Sequence, residues 1–423
     1  MKLKNLLMIT CLIVFAVEMT AQTPSAPEAP RPPRRGTIQG DPFTRLNYVP
    51  GKPLKIWSIP IAQSVMARYP DYRKAYYKDY SYVHGYMFEA MFHLADYTGD
   101  AGYEVFIKRY MDLFVDEEGN YKGDRLTNLD NFMTASAFCS LYHRTKDERY
   151  KTAALQALKA VEGYPDSDGQ FWHGNGSPNM WIDGVFMMQM FLIRCGQYVG
   201  ETDYCYSIAC RNIIAAARHL LRPDGLVIHA WTTEPEKAAW ANRETGLSPE
   251  VWSEGMGWYT LVVPELLAAL PKTHPDYPKV LDIYLSMMKG LKQYQDQKTG
   301  GWYMVVDKVS EPLNFIDPSG SAMFVYSIQK GIELGLLNAA EYAPVAKAGY
   351  ESLFPYFVVN SQGLVDVIGA CDGVTIKKDF ETYVTLNKIP NAKEAVAGAL
   401  WAAVIMEKEQ LIKYRTTVEN FFY

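Results

Sequence analysis

The chain has 423 residues, of which 48% are hydrophobic and 21% charged. That is ample for one large core or two domains. A formal net charge of −5 leaves no basic footprint, which argues against a nucleic-acid partner.

The N-terminus reads as a secretory signal over residues 1–21. Lys2 and Lys4 give a basic start, Leu6 to Val17 an apolar run, and Met19-Thr20-Ala21 a cleavage site before Gln22. The apolar run is too short for a membrane span. Cys11 lies inside it without a lipobox, so a cleaved signal is expected and no stable membrane anchor. The mature protein is then secreted or periplasmic. Residues 22–40 are rich in Pro and Arg and read as a flexible leader. Folding is expected to begin near Asp41.

The next elements are overwhelmingly helical. Apolar residues recur at three- and four-residue steps in Tyr82–Tyr97, Leu129–His143, Lys151–Val161, Ile182–Tyr198 and Tyr204–Leu221. The pattern continues in Gly257–Leu270, Val280–Tyr294, Ser319–Leu336, Ala343–Phe354 and Ala392–Glu407. Period-two stretches are few; Trp302–Val306 is the best of them. The helices come in pairs joined by a short polar turn, in which an acid precedes a Tyr that opens the next helix. These Tyr residues are Tyr103, Tyr150, Tyr204, Tyr277 and Tyr342. The turn stops one helix, the acid favours the next N-terminus, and Tyr packs the corner. The long connections, 116–128, 163–181, 222–256, 296–318 and 359–385, hold most of the remaining Gly, Trp, His and Asp. Short turns on one side and decorated loops on the other describe an all-α toroid of helical hairpins, with function on the loop side. No linker divides it, so 41–423 reads as a single domain.

Cys139, Cys195, Cys205, Cys210 and Cys371 follow the signal. Their number is odd and their spacing matches no metal motif. Buried thiols acting as small apolar side chains are expected; a Cys195–Cys205 or Cys205–Cys210 bridge is the alternative.

Chemistry gathers in three segments. Asp130 follows a loop and starts a helix, either as a cap or as half of a carboxyl pair. Asp183 sits at the mouth of an apolar helix, beside Trp181 and behind a loop with Phe171, Trp172 and His173. Aromatic faces there suit a sugar ring, and a carboxyl partly desolvated by them can serve as a general acid. The alternative is that Asp183 only caps a helix beginning at Gly184. The third group is His229 and Trp231, then Trp252, Glu254 and Trp258 around a Gly-Met-Gly run, all candidates for a pocket wall. There is no metalloprotease, nucleophile-elbow, phosphate-loop or dinucleotide signature. Neither a metal nor a cofactor is expected.

The ordered set NLDN at 128–131, FWH at 171–173, WIDGVFM at 181–187, HAW at 229–231, ETGLSPEVWSEGMGWY at 244–259 and SGSAMFVYSIQKGIELGLL at 319–337 resembles glycoside hydrolase family 105. These are the unsaturated rhamnogalacturonyl hydrolases and their unsaturated glucuronyl relatives. The likeness runs from about residue 57 to 407 and is weak beyond Val359. It implies an (α/α)6 barrel of six helical hairpins. It implies an oligosaccharide substrate, produced by a polysaccharide lyase and ending in a 4,5-unsaturated uronic acid. Hydration of the double bond then releases that sugar. By resemblance Asp183 is the general acid/base and Asp130 the second carboxylate. Trp181, His173, His229, Trp252 and Trp258 are then pocket residues. Members of the family often carry Arg where this chain has Glu254. Arg243, His173 or another base compensates, or the bound sugar differs. Two alternatives stand beside this reading: a hydrolase of saturated glycosides on the same toroid, and a non-catalytic carbohydrate-binding protein. Nothing in the sequence speaks to oligomeric state.

Overall fold

The structure is a computed structural model that describes residues 48–76 and 78–414. The expected signal at 1–21, the leader at 22–40 and the start near Asp41 lie outside the described residues. Helix α1 (Ser58–Arg68) leads into a series of hairpins. These are α2 (Tyr82–Thr98) with α3 (Gly102–Met111), α4 (Asp130–Thr145) with α5 (Glu148–Lys159), and α6 (Ile182–Tyr198) with α7 (Thr202–Leu220). Then come α8 (Ser253–Ala269) with α9 (Tyr277–Tyr294) and α10 (Pro318–Glu333) with α11 (Ala339–Glu351). A short α12 (Phe380–Val384) precedes α13 (Lys393–Met406) and α14 (Lys408–Tyr414). The first member of each pair packs on the first member of the next, and α13 returns to α2. This closed ring of six inner helices inside an outer set is the (α/α)6 barrel.

Sequence pattern separates the two rings. Helix α8 buries every residue from Ser253 to Leu267, and α13 every residue from Glu394 to Ile405. A helix apolar on all sides belongs inside. In α9 the buried residues are Tyr277, Val280, Tyr284, Met287, Met288, Gly290 and Leu291, a single stripe that faces inward. Gly257 lets α8 approach α10, since a Cβ there would lie 2.5 Å from Met323 Sδ. The five corner tyrosines all fall in the first turn of an outer helix. Asp147 and Asn338 cap two of those helices, accepting the backbone N–H of Arg149 at 3.0 Å and of Ala340 at 2.9 Å.

Strands are short, antiparallel and confined to the long connections. They are β1 (Asp166–Ser167) with β2 (Gln170–Phe171), β3 (Asn179–Trp181) with β4 (Ala230–Thr232), β5 (Phe357–Val359) with β6 (Val365–Val367), and β7 (Ala370–Cys371) with β8 (Lys388–Ile389). The alternating stretch Trp302–Val306 forms no strand. It makes isolated bridges, Trp252 to Val305 and Tyr303 to Ile316, because its partners are single loop residues. All five cysteines are free and buried. No helix among the described residues is long and apolar enough to cross a membrane.

Towards the short-turn end, one guanidinium ties the inner ring together. Arg194 of α6 donates from Nε to Glu89 of α2 at 2.8 Å and from Nη2 to Glu265 of α8 at 2.7 Å. Glu265 also accepts from Tyr326 at 2.7 Å and pairs with Lys330 at 2.9 Å, both on α10. Ser136 of α4 donates to Glu89 at 3.1 Å. Burial works against the charge on Glu265, but Lys330 and Arg194 outweigh it and hold its pKa well below the usual carboxylate range. Removing Arg194 strands the buried Glu89 carboxylate without a cation and leaves Glu265 with Lys330 and Tyr326 alone. Arg194→Met is expected to cost about 3–5 kcal/mol of stability, read by urea unfolding at neutral pH.

Candidate active site

Asp130, Asp183, Glu254 and Glu394 each occupy the first turn of an inner helix, in α4, α6, α8 and α13. Tyr82 opens α2 and Ser319 lies in the first turn of α10. The inner helices run in one direction, so their N-termini surround one mouth, formed by the long connections.

The loop before α6 builds the first wall. The Leu129 N–H donates to the His173 carbonyl at 2.9 Å and the His173 N–H to the Asn179 carbonyl at 2.8 Å, which binds the start of α4 to β3. The rings of His173 and Trp181 stack at 4.3 Å and 9°. His173 Nε2 is 3.7 Å from Asp130 Oδ1, too far for a hydrogen bond. Gly184 makes room for this: a Cβ there would lie 2.7 Å from His173 Nδ1. Pairing of β3 with β4 brings His229 alongside, its carbonyl accepting the Ile182 N–H at 2.9 Å.

Asp183 does not cap the helix. Helix α6 begins at Ile182 with Trp181 in the cap position, so Asp183 lies one residue inside. The residue is half-buried, yet its Oδ1 is out of reach of solvent and has no hydrogen-bond partner. Burial raises its pKa to about 6, with Asp130 adding to the rise, while His173 and the backbone N–H groups of Asp183 and Gly184 oppose it.

A second wall carries aromatic donors. His229 is fully buried, and burial lowers its pKa to about 3, so the ring is neutral. Its Nδ1 meets the Tyr383 hydroxyl at 2.7 Å and its Nε2 has no partner. Trp252 packs on His229 at 4.6 Å, and its Nε1 is also buried and unpartnered. Buried polar atoms are normally paired; here such atoms gather at one opening, together with Asp130 Oδ1, His173 Nδ1, Ser319 Oγ and Glu394 Oε2.

The third wall is acidic. Glu254 is buried, and that burial, then Glu394 and Asp317, pushes its pKa well above the usual range. Tyr82 donates to Glu394 Oε1, which Lys393 also contacts at 3.0 Å. Trp258 forms the floor, against Tyr86 at 4.5 Å, Phe186 at 5.0 Å and the edge of Tyr82 at 6.2 Å.

The structure therefore gathers Asp183, Asp130, His173, Trp181, His229, Trp252 and Glu254 around the mouth, with Trp258 beneath it. It puts Trp231 elsewhere. Trp231 pairs with Met180 and points to the opposite face from the Trp181–Ala230 pair, because side chains alternate along a strand. It stacks on His219 at 3.7 Å and donates to Gln170. Arg243 is exposed and donates to the Pro235 carbonyl. Tyr82, Tyr383, Lys393 and Glu394 escaped sequence reasoning. Glu394 had a signal, an acid in the first turn of an apolar helix as at Asp130 and Asp183; Tyr383, in the five-residue helix α12 inside a long connection, had none. Among the described residues Cys210, His274 and Asp276 bring metal-ligand atoms within 4.8 Å of one another. They lie on α7 and the α8–α9 turn, and His274 Nδ1 already accepts the Asp276 N–H at 3.2 Å.

The profile of Glycosyl Hydrolase Family 88 matches residues 57–410. The chain belongs to that family. This family-88 chain is a glycoside hydrolase, and the family 105 likeness read from its motifs is borne out by solved structures. A family 105 glycoside hydrolase from C. acetobutylicum superposes with a TM-score of 0.77 at 25% identity, over 84% of this chain and 99% of that one. Unsaturated glucuronyl hydrolase from Bacillus sp. GL1 shares the fold, with a TM-score of 0.53 at 16% identity, over 76% and 85% of the two chains. By sequence, unsaturated 3S-rhamnoglycuronyl hydrolase from Alteromonas sp. is 22% identical over 277 residues, 61% of this chain and 63% of that protein. Protein Atu3128 from Agrobacterium fabrum is 29% identical over 163 residues, 38% of this chain and 68% of that protein.

The tight fit at Gly184 gives a test of the first wall. Gly184→Ala is expected to cost about 1–3 kcal/mol by overpacking and to swing His173 away from Asp183. A lowered melting temperature with a disproportionate loss of hydrolysis is the expected result.

Proposed function

We propose that this hydrolase removes a 4,5-unsaturated uronic acid from the non-reducing end of lyase-generated oligosaccharides. Asp183 donates its proton to C4 of the ring, and water adds through oxygen to C5 and returns a proton to the Asp183 carboxylate. The hemiketal so formed opens to a ketone and releases the remaining sugar. An enol ether needs one placed proton donor and one water, and no covalent nucleophile. This departs from the two-carboxylate schemes of ordinary glycosidases.

One observation carries the reading: a half-exposed carboxyl whose pKa rises to about 6 because it is desolvated, with an unpartnered oxygen at the mouth. A group with such a pKa is still largely protonated in mildly acidic water and gives up its proton readily. The stacked His173 and Trp181 offer a flat wall for the ring, and Asp130 positions sugar and donor. His229, Trp252 and Glu254 complete the binding surface, while Trp258 supports it. The names of the Alteromonas and Bacillus relatives support the same substrate class. The N-terminal signal read at 1–21 supports a secreted or periplasmic enzyme.

Asp183→Asn is expected to lower turnover by about 10²–10⁴-fold and to leave the circular dichroism unchanged. The assay follows loss of ultraviolet absorbance from an unsaturated uronyl disaccharide. Undiminished turnover would remove Asp183 from its role.

The pH profile gives a separate test. Asp183 acts protonated, so kcat/KM should hold below about pH 6 and fall about tenfold per unit above it. Asp130 helps to raise the Asp183 pKa and His173 lowers it. Asp130→Asn should therefore move the alkaline limb to lower pH, and His173→Gln should move it to higher pH. Limbs that stay fixed in both variants would contradict the assignment.

A further inference from the structure

On the short-turn side, away from the mouth, three side chains converge that the reaction does not use. Cys210 lies within α7, and His274 and Asp276 lie in the turn between α8 and α9. One thiol sulfur, one imidazole nitrogen and one carboxylate oxygen stand within 4.8 Å of one another. Cys210 is fully buried, while His274 and Asp276 are half-buried. The group is therefore closed on the protein side and reachable from solvent at the turn.

Backbone bonds fix the turn. The His274 N–H donates to the Pro271 carbonyl at 2.9 Å and the Tyr277 N–H to the His274 carbonyl at 3.0 Å. Asp276 holds the cap position of α9, yet its side chain makes no cap hydrogen bond. An Asp in that position ordinarily accepts the N–H of the second or third helical residue, as Asp147 and Asn338 do at two other corners. In α9 the second residue is Pro278, which has no N–H to give. The Asp276 carboxylate is thus free of capping; its other charge contact is the exposed Lys279, with Nζ at 3.4 Å. Burial, then Asp276, raises the pKa of Cys210 to about 12. A doubly charged cation would balance one thiolate and one carboxylate, with imidazole as a neutral third donor.

We propose that Cys210, His274 and Asp276 bind one divalent cation of the zinc class, with water as the fourth ligand. Sulfur beside imidazole and carboxylate is the donor set of a borderline metal, whereas magnesium and calcium take oxygen. Zinc–ligand bonds run about 2.0–2.3 Å, so atoms already within 4.8 Å of one another close on an ion by side-chain rotation. On binding, the Cys210 S–H bond breaks, a sulfur–metal bond forms and the proton leaves to water. The Asp276 N–H that donates to His274 Nδ1 at 3.2 Å is exchanged as well. Either Nδ1 turns to the ion, or Nε2 takes the ion and Nδ1 carries the ring proton. The ion joins α7 to the turn that opens α9, two neighbouring outer helices, and so staples the outer ring whatever the mouth hydrolyses.

The test titrates chelator-treated, tag-free mature protein with Zn²⁺ by calorimetry and with Co²⁺ by absorbance. One Zn²⁺ per chain is expected, together with a raised melting temperature. Co²⁺ should give a thiolate charge-transfer band in the near ultraviolet, and Cys210→Ala should abolish that band. Changing a group merely behind a ligand costs about 10–100-fold in metal affinity. His274→Ala and Asp276→Ala remove ligands and are each expected to cost at least as much. Both lie in a turn, so they decide the matter even where Cys210→Ala does not fold. No uptake of Zn²⁺, a cobalt spectrum without the thiolate band, or an affinity unmoved by both turn variants overturns the proposal.

Discussion

Six inner helices run the same way around a closed ring, and the site follows from that constraint. Each helix carries partial positive charge at its N-terminus, from N–H groups that no turn above can satisfy. Direction brings those ends to a single opening. Side chains near each start therefore meet one another there, and side chains two to three turns further on meet towards the far end. Asp130, Asp183, Glu254 and Glu394 gather at the first level. Glu89, Arg194, Glu265 and Lys330 gather at the second. The Arg194 cluster bridges α2, α6, α8 and α10, and so it fixes the helices whose ends define the mouth.

Within that opening, environment rather than residue type separates the acids. Helix N-termini favour ionised carboxylates, and water withdrawal disfavours them. At Asp183 withdrawal wins and raises the pKa to about 6, against His173 and two backbone donors. Asp130 is partly exposed, with Oδ1 3.7 Å from His173 Nε2. Glu254 is enclosed among other acids, and burial, then Glu394 and Asp317, pushes its pKa well above the usual range. A neutral acid at that wall donates a hydrogen bond where an ionised one only accepts. Lys393, next to this wall, is committed to Glu394 and Asp372.

Much of this was legible in the chain. Helix positions followed from three- and four-residue apolar spacing, and Ile182–Tyr198 matches to the residue. The acid-plus-Tyr turns marked every outer helix that they preceded. Helix α8 starts earlier than its pattern suggested, because Ser253 and Glu254 are polar yet buried. The period-two stretch at 302–306 misled, since alternation alone does not supply a partner strand.

By itself, the sequence determined the all-helical hairpin array and pointed to Asp183 and Asp130 as candidate acids on its long-loop side. Those features rest on local periodicity and on residue types within one segment. Only the tertiary structure decided which way each side chain faces and which distant segments meet. The flip of one residue along β4 sends Trp231 behind the site. Tyr383 reaches His229, and Glu394 with Lys393 closes the ring beside Glu254. Such contacts join residues far apart in the chain, and the burial that sets their proton affinities exists only once the ring has closed.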